Sequence, residues 1–188
     1  RKKPPETPQK EIPFLRVQDH LKLSTTAALI ALPWLKQDAW VPLASSVLID
    51  VDHYLWYAAA HHTLSLRAAL RYFHQANPQP QPWARSFHHP LFLALLLVIA
   101  ARTRSKWLWL ILSGLLFHVS LDMIHGSQMS RLKRTLHEQA HATCSACGQP
   151  CEALELHTLY FARNIFDRYN PAHFVMLCSA CHARVHQK

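Results

Sequence analysis

Aspartate and histidine recur in the most apolar part of this 188-residue sequence, where ionisable side chains are costly unless they are paired or bind a metal. Asp50 and His53 lie three residues apart, and His118 and Asp122 lie four apart, so each pair shares one face of a helix. Imidazole and carboxylate suit zinc and similar divalent ions. These four residues are the predicted ligands of a divalent metal, with structural hydrogen bonds as the alternative. Asp52 is predicted either to support a ligand or to take a proton from water.

Four apolar segments carry these residues. They are Leu23–Leu35, Trp40–Ala60, Phe87–Ala101 and Trp107–His125. A free-standing transmembrane helix needs roughly 18 residues without a charge or a histidine, and none of the four segments has them. Hydropathy alone therefore leaves a second fold possible, a soluble bundle of four buried helices. The scarcity of acids favours a membrane, since no glutamate occurs between Ile12 and Leu136. Tryptophans near the segment ends favour the same location.

The distribution of basic residues predicts the orientation of these helices. If all four segments cross the membrane, both termini and the loop 61–85 share a side that carries twelve Lys and Arg, against four on the other side. Basic loops stay in the cytoplasm. We therefore expect a basic tail at 1–22 and an all-α membrane domain of about four helices at 23–126. The protein would be multi-pass, with both termini cytoplasmic.

The order of the motifs resembles the membrane-bound metal-dependent hydrolases of bacterial inner membranes, a family distantly similar to zinc-dependent phospholipase C. The resemblance covers about residues 19–125, through Asp19-His20, Asp50-Val-Asp-His53, Arg85-Ser-Phe-His-His-Pro90 and His118-x3-Asp122. Ile49 replaces the proline that the family has before its Asp-x-Asp-His motif, and the third motif is a loose match. The resemblance adds His20 and His89 to the predicted ligands, with His89 preferred to its neighbour His88. It implies hydrolysis of an ester or phosphoester near the membrane.

Residues 144–188 carry a second metal motif. Cys144-Ser-Ala-Cys147 and Cys178-Ser-Ala-Cys181 are two C-x2-C knuckles, which are typical of a structural zinc held by four thiolates. Two disulfides are the alternative, disfavoured in a reducing cytoplasm. Cys151 is predicted to be a free thiol. A helical linker at 127–143 is expected to join this module to the preceding helices.

The tail resembles the zinc-knuckle subgroup of HNH endonucleases over about residues 144–186. The matching motifs are Leu154-Glu-Leu-His-Thr158 and Leu177-Cys-Ser-Ala-Cys-His-Ala-Arg-Val-His186. The resemblance implies a small ββα zinc-binding module in which His157, His182 and His186 would hold a nuclease metal. Thr158 stands where the family has its general-base histidine, and a threonine hydroxyl cannot take a proton near neutral pH. A degenerate module without nuclease activity is therefore expected.

Three functions are open from sequence. The preferred one is a metal-dependent hydrolase of the bacterial inner membrane, with membrane lipid as partner and a cytoplasmic zinc tail. The second is an accessory subunit of a membrane complex, whose histidines hold a pigment or haem and whose tail docks another subunit. The third is an HNH-type nucleic-acid-binding protein or nuclease, because the net charge of +9 fits nucleic-acid phosphate as well as anionic lipid. Ligands that converge on one point with an open coordination position would favour hydrolysis, and histidines scattered around the bundle would favour the accessory subunit.

Overall fold

The structure, a computed structural model, describes residues 17–74, 86–159, 164 and 167–186. The helices are α1 (Val17–Leu35), α2 (Trp40–Leu48), α3 (Val51–His61), α4 (Leu66–His74), α5 (Pro90–Thr103), α6 (Lys106–Gln139) and α7 (Ser179–His186). The strands are β1 (Leu154–Thr158) and β2 (Phe174–Cys178), and 3-10 helices occupy Lys36–Ala39 and Pro171–His173. The chain divides between Ile124 and His125 into two compact units. We call 17–124 the helical unit and 125–186 the tail unit. Most of the predicted basic tail 1–22 lies outside the described residues.

The prediction of a four-helix membrane domain is wrong. Within the described residues, only α6 is long and apolar enough to cross a membrane, and its apolar window has a mean hydropathy of 1.7 and is 22% buried. A turn at Ile49 and Asp50 divides the second apolar segment into α2 and α3, of 9 and 11 residues, and α5 has 14. At about 1.5 Å per residue these helices are too short for a hydrocarbon core of roughly 30 Å. A count of apolar residues does not register such a break.

The helical unit is held together by close contacts among α1, α2 and α6. Ser24 of α1 and Ser46 of α2 share a buried hydrogen bond of 2.8 Å between their hydroxyl oxygens. Gly114 brings the backbone of α6 against α2, because a Cβ at this position would lie 2.1 Å from Ser45 Oγ and 2.2 Å from the carbonyl oxygen of Pro42. These contacts fix the elements that carry the Asp and His side chains relative to one another.

The tail unit contains an antiparallel pair of strands followed by a helix. Leu154 of β1 lies opposite Cys178 of β2, and Thr158 lies opposite Phe174. The core combines side chains from both strands, from α7 and from the second half of α6. Its buried members are Met129, Leu132, Cys144, Leu154, Leu156, Phe174, Met176, Leu177 and Cys181. α6 also continues through most of the predicted linker 127–143.

The close approach at Gly114 predicts opposite effects for two glycine substitutions in the same helix. Gly114→Ala forces a methyl group into Pro42 and Ser45, and overpacking of this kind costs about 1–3 kcal/mol. Gly126→Ala meets no atom within 4 Å and gains helix propensity of about 1 kcal/mol. We therefore expect a lower melting temperature for the first variant and an unchanged or higher one for the second, by circular dichroism at 222 nm. Equal melting temperatures would rule out the close packing of α6 on α2.

Candidate metal centres

Seven Asp and His side chains from separate elements gather in the helical unit. They are His20 of α1, Asp50 of the turn after α2, Asp52 and His53 of α3, His88 of the turn before α5, and His118 and Asp122 of α6. They form three overlapping groups, and within each group the ligand atoms lie within 4.8 Å of one another. The residues are separated by as many as 102 positions in sequence, so the tertiary fold brings them together.

Four donor atoms within this set lie close together around the Nε2 atoms of His118 and His88. His118 Nε2 lies 3.3 Å from His88 Nε2 and 3.5 Å from each of Asp50 Oδ1 and Asp122 Oδ2. His88 Nε2 lies 3.4 Å from Asp50 Oδ1 and 4.0 Å from Asp122 Oδ2. Zinc bonds of about 2.0–2.2 Å to nitrogen and oxygen place tetrahedral ligands roughly 3.3–3.6 Å apart. Four of these five distances match this spacing, and the fifth, between His88 Nε2 and Asp122 Oδ2, is longer.

The hydrogen bonding of His118 requires a positive charge at this point. Its Nδ1 lies 2.7 Å from the carbonyl oxygen of Ser46, which can only accept, so Nδ1 carries the proton and donates it. In the neutral ring, Nε2 then has a lone pair, and this lone pair faces the oxygens of Asp50 and Asp122. The side chain of His118 is fully buried, so water does not separate these acceptors from it. A cation, either a metal or a proton on a ring, relieves the repulsion.

Asp52 holds His88 in place from behind. Asp52 Oδ2 accepts a 3.0 Å hydrogen bond from the backbone N–H of Phe87 and lies 3.5 Å from His88 Nδ1. A carboxylate on the far nitrogen of a ligand histidine is the usual support in metal sites. Burial alone lowers the pKa of His88, but hydrogen bonds and charges from Asp50 and Asp52 outweigh it and raise the pKa to about 9. Without a metal, His88 is therefore an imidazolium at neutral pH.

The other oxygen of Asp52 binds His53. Asp52 Oδ1 and His53 Nδ1 are 2.5 Å apart, and the rings of His53 and His88 have centroids 5.3 Å apart. Burial raises the pKa of Asp52, but the hydrogen bonds from His53, His88 and Phe87 together hold it well below its usual range. Both oxygens of this buried carboxylate are occupied as acceptors. Asp52 is thus arranged to orient two histidines.

His20 supports the opposite side of the cluster. Its Nε2 lies 3.1 Å from Asp122 Oδ1, which leaves Oδ2 of the same carboxylate directed at His118. The ring of His20 stacks on that of His118, with centroids 4.0 Å apart and planes 9° apart. His20 therefore fixes both a carboxylate and an imidazole of the four-atom set.

The structure places His88, and not the preferred His89, in the cluster. His89 is exposed and caps the start of α5, where its Nδ1 accepts a 3.2 Å hydrogen bond from the backbone N–H of Leu91. Pro90 follows at the first helical position, which is where proline is favoured. This proline was the sequence signal that His89 is a cap, and it leaves His88 in the preceding turn to face the cluster.

The cluster is open on its carboxylate side. Side-chain exposure rises from 0% for His118 and 12% for His88 to 26% for Asp50 and 32% for Asp122. Burial raises the pKa of Asp50, but the hydrogen bond from His88 and the charges of the neighbouring histidines lower it below its usual value. Water or a small polar group can therefore reach the cluster past two ionised carboxylates.

The four knuckle cysteines of the tail unit form a second cluster, as predicted, whereas the structural zinc predicted there stays a prediction. The sulfurs of Cys144, Cys147, Cys178 and Cys181 lie within 4.8 Å of one another, a group that could bind a metal such as zinc. Burial raises the pKa of Cys144, but backbone N–H groups, led by that of Cys178, lower it to about 6. The Arg184 guanidinium donates to the sulfur of Cys181 at 3.4 Å. The backbone donors favour the thiolate form of Cys144, whereas the hydrogen bond with Cys178, followed by burial, raises the pKa of Cys181 to about 12.

The structure describes the side chains of two of the three histidines that the HNH resemblance names as metal ligands, His157 and His182. His157 lies on β1, and the centroid of its ring is 5.2 Å from that of His182. His182 is buried, and its Nδ1 pairs with Glu155 Oε2. The side chain of His186 lies outside the described residues. The described residues form no group of three metal-binding side chains around His157, and Thr158 lies beside it at the end of β1.

No protein-family model, curated protein or solved structure matches this chain. The geometry of the two clusters is therefore the basis on which its function is proposed.

The placement of His88 and His89 predicts different metal contents for two neighbouring substitutions. His88→Ala removes one of the four converging donors, whereas His89→Ala removes only a helix cap. We expect the first variant to retain about one zinc per chain less than the wild type after zinc loading and dialysis, and the second to retain the same amount. Inductively coupled plasma mass spectrometry measures the difference. The reverse order would assign the ligand to His89.

Proposed function

We propose that the chain is a metal-dependent hydrolase that acts on an ester or phosphoester at a membrane. The observation that carries this proposal is the convergence of donor atoms from Asp50, His88, His118 and Asp122, in which each imidazole Nε2 lies 3.3–4.0 Å from the other and from both carboxylates. Imidazole nitrogens and carboxylate oxygens suit zinc, and hydrolysis requires in addition an open position for water, which this proposal puts on the exposed side of the cluster next to Asp50 and Asp122. The resemblance to membrane-bound metal-dependent hydrolases points to the same chemistry.

Each residue of the cluster has a role in this proposal. Asp50, His88, His118 and Asp122 would hold a divalent ion, which would lower the pKa of a bound water toward 7 and polarise a carbonyl or phosphoryl oxygen. Ser46, through its carbonyl, and Asp52 hold the rings of His118 and His88 so that their Nε2 atoms point to one place. Asp50 and Asp122 lie on the exposed side, where water and substrate enter.

His53 is the best-placed group to move the proton. Its Nδ1 donates to Asp52, so its Nε2 carries the lone pair of the neutral ring. Asp52 then orients the imidazole and stabilises its charged form after proton transfer, as the third member of a catalytic triad does. In ester hydrolysis, the proton taken from water passes to the leaving oxygen as the ester bond breaks. Asp52 acts on the reaction through His53 and His88.

The two alternative functions have less support. Histidines that hold a haem or pigment would lie apart on the faces of their helices, whereas four histidines here lie in one cluster with carboxylates. The tail has Thr158 at the position where HNH endonucleases have their general-base histidine. The ring of His182 is paired with the carboxylate of Glu155. We therefore place the activity in the helical unit.

The proposal includes a structural zinc at the four cysteines and an association of the helical unit with the bacterial inner membrane. Tetrahedral coordination by four thiolates would stabilise a tail unit whose own core is small. Membrane association is supported by exposed apolar side chains on α1, α5 and α6. The most exposed are Leu29, Ile30, Trp34, Leu91, Leu95, Val98, Trp107, Met123 and Ile124. Patches of this kind mark interaction surfaces.

Removal of the proposed base should lower turnover without removing the metal. We expect zinc-loaded protein to hydrolyse bis(p-nitrophenyl) phosphate or p-nitrophenyl acetate, and His53→Gln to lower kcat by about 10²-fold or more. Zinc content should stay that of the wild type, since His53 is outside the four-atom set. His89→Gln is the matched control and should keep full activity. A His53→Gln variant with unchanged kcat would remove His53 from the reaction, and no hydrolysis of either ester would contradict the proposed function.

The five cysteines of the tail predict a sharp contrast between two serine substitutions. Cys178→Ser removes a knuckle ligand, so we expect loss of about one zinc per chain and unfolding of the tail unit, because its folding is coupled to the metal. Cys151→Ser should retain the zinc. Zinc release to a colorimetric chelator and proteolysis of the tail by trypsin measure both effects. Retention of zinc by Cys178→Ser would exclude the four-thiolate site.

A further inference from the structure

A buried polar contact joins α1 to the residue that holds the ring of His118. Ser24 Oγ and Ser46 Oγ are 2.8 Å apart, and the two serines are 2% and 1% exposed. Burial of a hydroxyl is unfavourable unless it is hydrogen-bonded, so each serine gives the other a partner that it needs. The backbone carbonyl of the same Ser46 accepts the Nδ1 proton of His118 at 2.7 Å. Ser24 is therefore bonded to the residue that orients a ligand of the candidate metal centre.

The carbonyl of Ser46 is available to His118 because of its place in α2. This helix ends at Leu48, and the backbone N–H of Ile49 bonds to the carbonyl of Ser45, one residue before Ser46. The last four carbonyls of a helix have no partner within the helix, and the bond to His118 satisfies one of them. Helix ends fray more readily than helix interiors. The position of this carbonyl therefore depends on what else holds Ser46.

One face of α1 contacts both of the groups that hold His118. His20 and Ser24 lie four residues apart, so they project from the same face of α1. The ring of His20 stacks on that of His118, with centroids 4.0 Å apart, while Ser24 bonds to Ser46. α1 thus restrains both the plane of the imidazole and the residue whose carbonyl accepts its proton.

We propose that Ser24 is a positioning residue of the metal centre, which acts through Ser46 on the tautomer of His118. A fixed carbonyl keeps the proton on Nδ1, so that the lone pair of Nε2 faces Asp50 and Asp122. Without Ser24, the hydroxyl of Ser46 loses its partner and can turn to a carbonyl of its own helix. This role rests on the proposed function, because it concerns a ligand of the same metal, but the tautomer of His118 can be measured without metal or substrate.

Nitrogen NMR of the metal-free, full-length protein with labelled histidine tests this role. The two neutral tautomers of an imidazole give different nitrogen signals, and a His118→Gln variant assigns those of His118. We expect the Nδ1 tautomer in the wild type and a mixture of both tautomers in Ser24→Ala. With the four cysteines already loaded, the zinc affinity of the helical unit should fall about 10-fold in competition with a chelator. Ser45→Ala, which removes a hydroxyl that donates to the carbonyl of Pro42 in the same helix, is the matched control and should change neither property.

A double variant separates positioning from folding. Ser24→Ala with Ser46→Ala removes both hydroxyls together, so no buried hydroxyl lacks a partner and the melting temperature should return toward that of the wild type. The carbonyl of Ser46 is still not restrained, so the mixed tautomers and the lower zinc affinity should persist.

Two results would overturn the role of Ser24. One is an unchanged tautomer of His118 in Ser24→Ala. The other is recovery of zinc affinity together with melting temperature in the double variant, because Ser24 would then act on stability alone. A protein that shows the expected tautomers and affinities but hydrolyses no ester would support the role of Ser24 and contradict the proposed function.

Discussion

A single fully buried imidazole sets the electrostatics of the helical unit. His118 donates its Nδ1 proton to the carbonyl of Ser46, so its other nitrogen faces two carboxylates and a second imidazole as an acceptor. Buried acceptors that face one another without a donor are unfavourable, and a cation among them converts the repulsion into coordination. The same contacts that hold α6 against α2 therefore favour a cation at this point, either a metal ion or a proton on the ring of His88.

The surrounding elements satisfy this constraint in ways that are separate in sequence. Gly114, one turn before His118, lets the backbone of α6 approach α2 closely enough for the bond to Ser46. The turn at Asp50, which divides the second apolar segment, directs one carboxylate toward His118 and starts α3 with Asp52. Asp52 and His20 then hold His88 and Asp122 from outside the four-atom set. The break that prevents a long apolar helix is the feature that builds the site.

Residue type and spacing predicted part of this arrangement. Paired C-x2-C knuckles identify a cysteine cluster because the spacing itself makes two sulfurs of each knuckle converge. Asp and His in apolar segments mark candidate ligands because such side chains are rarely placed there without a partner. The choice between His88 and His89 depends on which residue caps α5, and Pro90 was the signal for it. The carbonyl of Ser46 carries no side-chain signal, so the fixed tautomer of His118 could not be read from the sequence.

The membrane helices were mispredicted for a related reason. Hydropathy sums composition over a window, and the window over Trp40–Ala60 treats Asp50 as one unfavourable residue in an otherwise apolar helix. In the structure Asp50 lies in the turn between α2 and α3, where its carboxylate faces two histidines. Contacts within the cluster stabilise the turn at Asp50. These contacts join residues tens of positions apart in sequence, so a hydropathy pattern along the sequence does not contain them.

The central claim is that one metal ion binds among Asp50, His88, His118 and Asp122. Anomalous diffraction at the zinc edge from crystals of the zinc-loaded full-length protein tests it most directly. The account predicts a peak within about 2.0–2.2 Å of His88 Nε2, His118 Nε2, Asp50 Oδ1 and Asp122 Oδ2, in addition to the peak at the four cysteines. A map with a peak at the cysteines and none among the four side chains of the helical unit would contradict it.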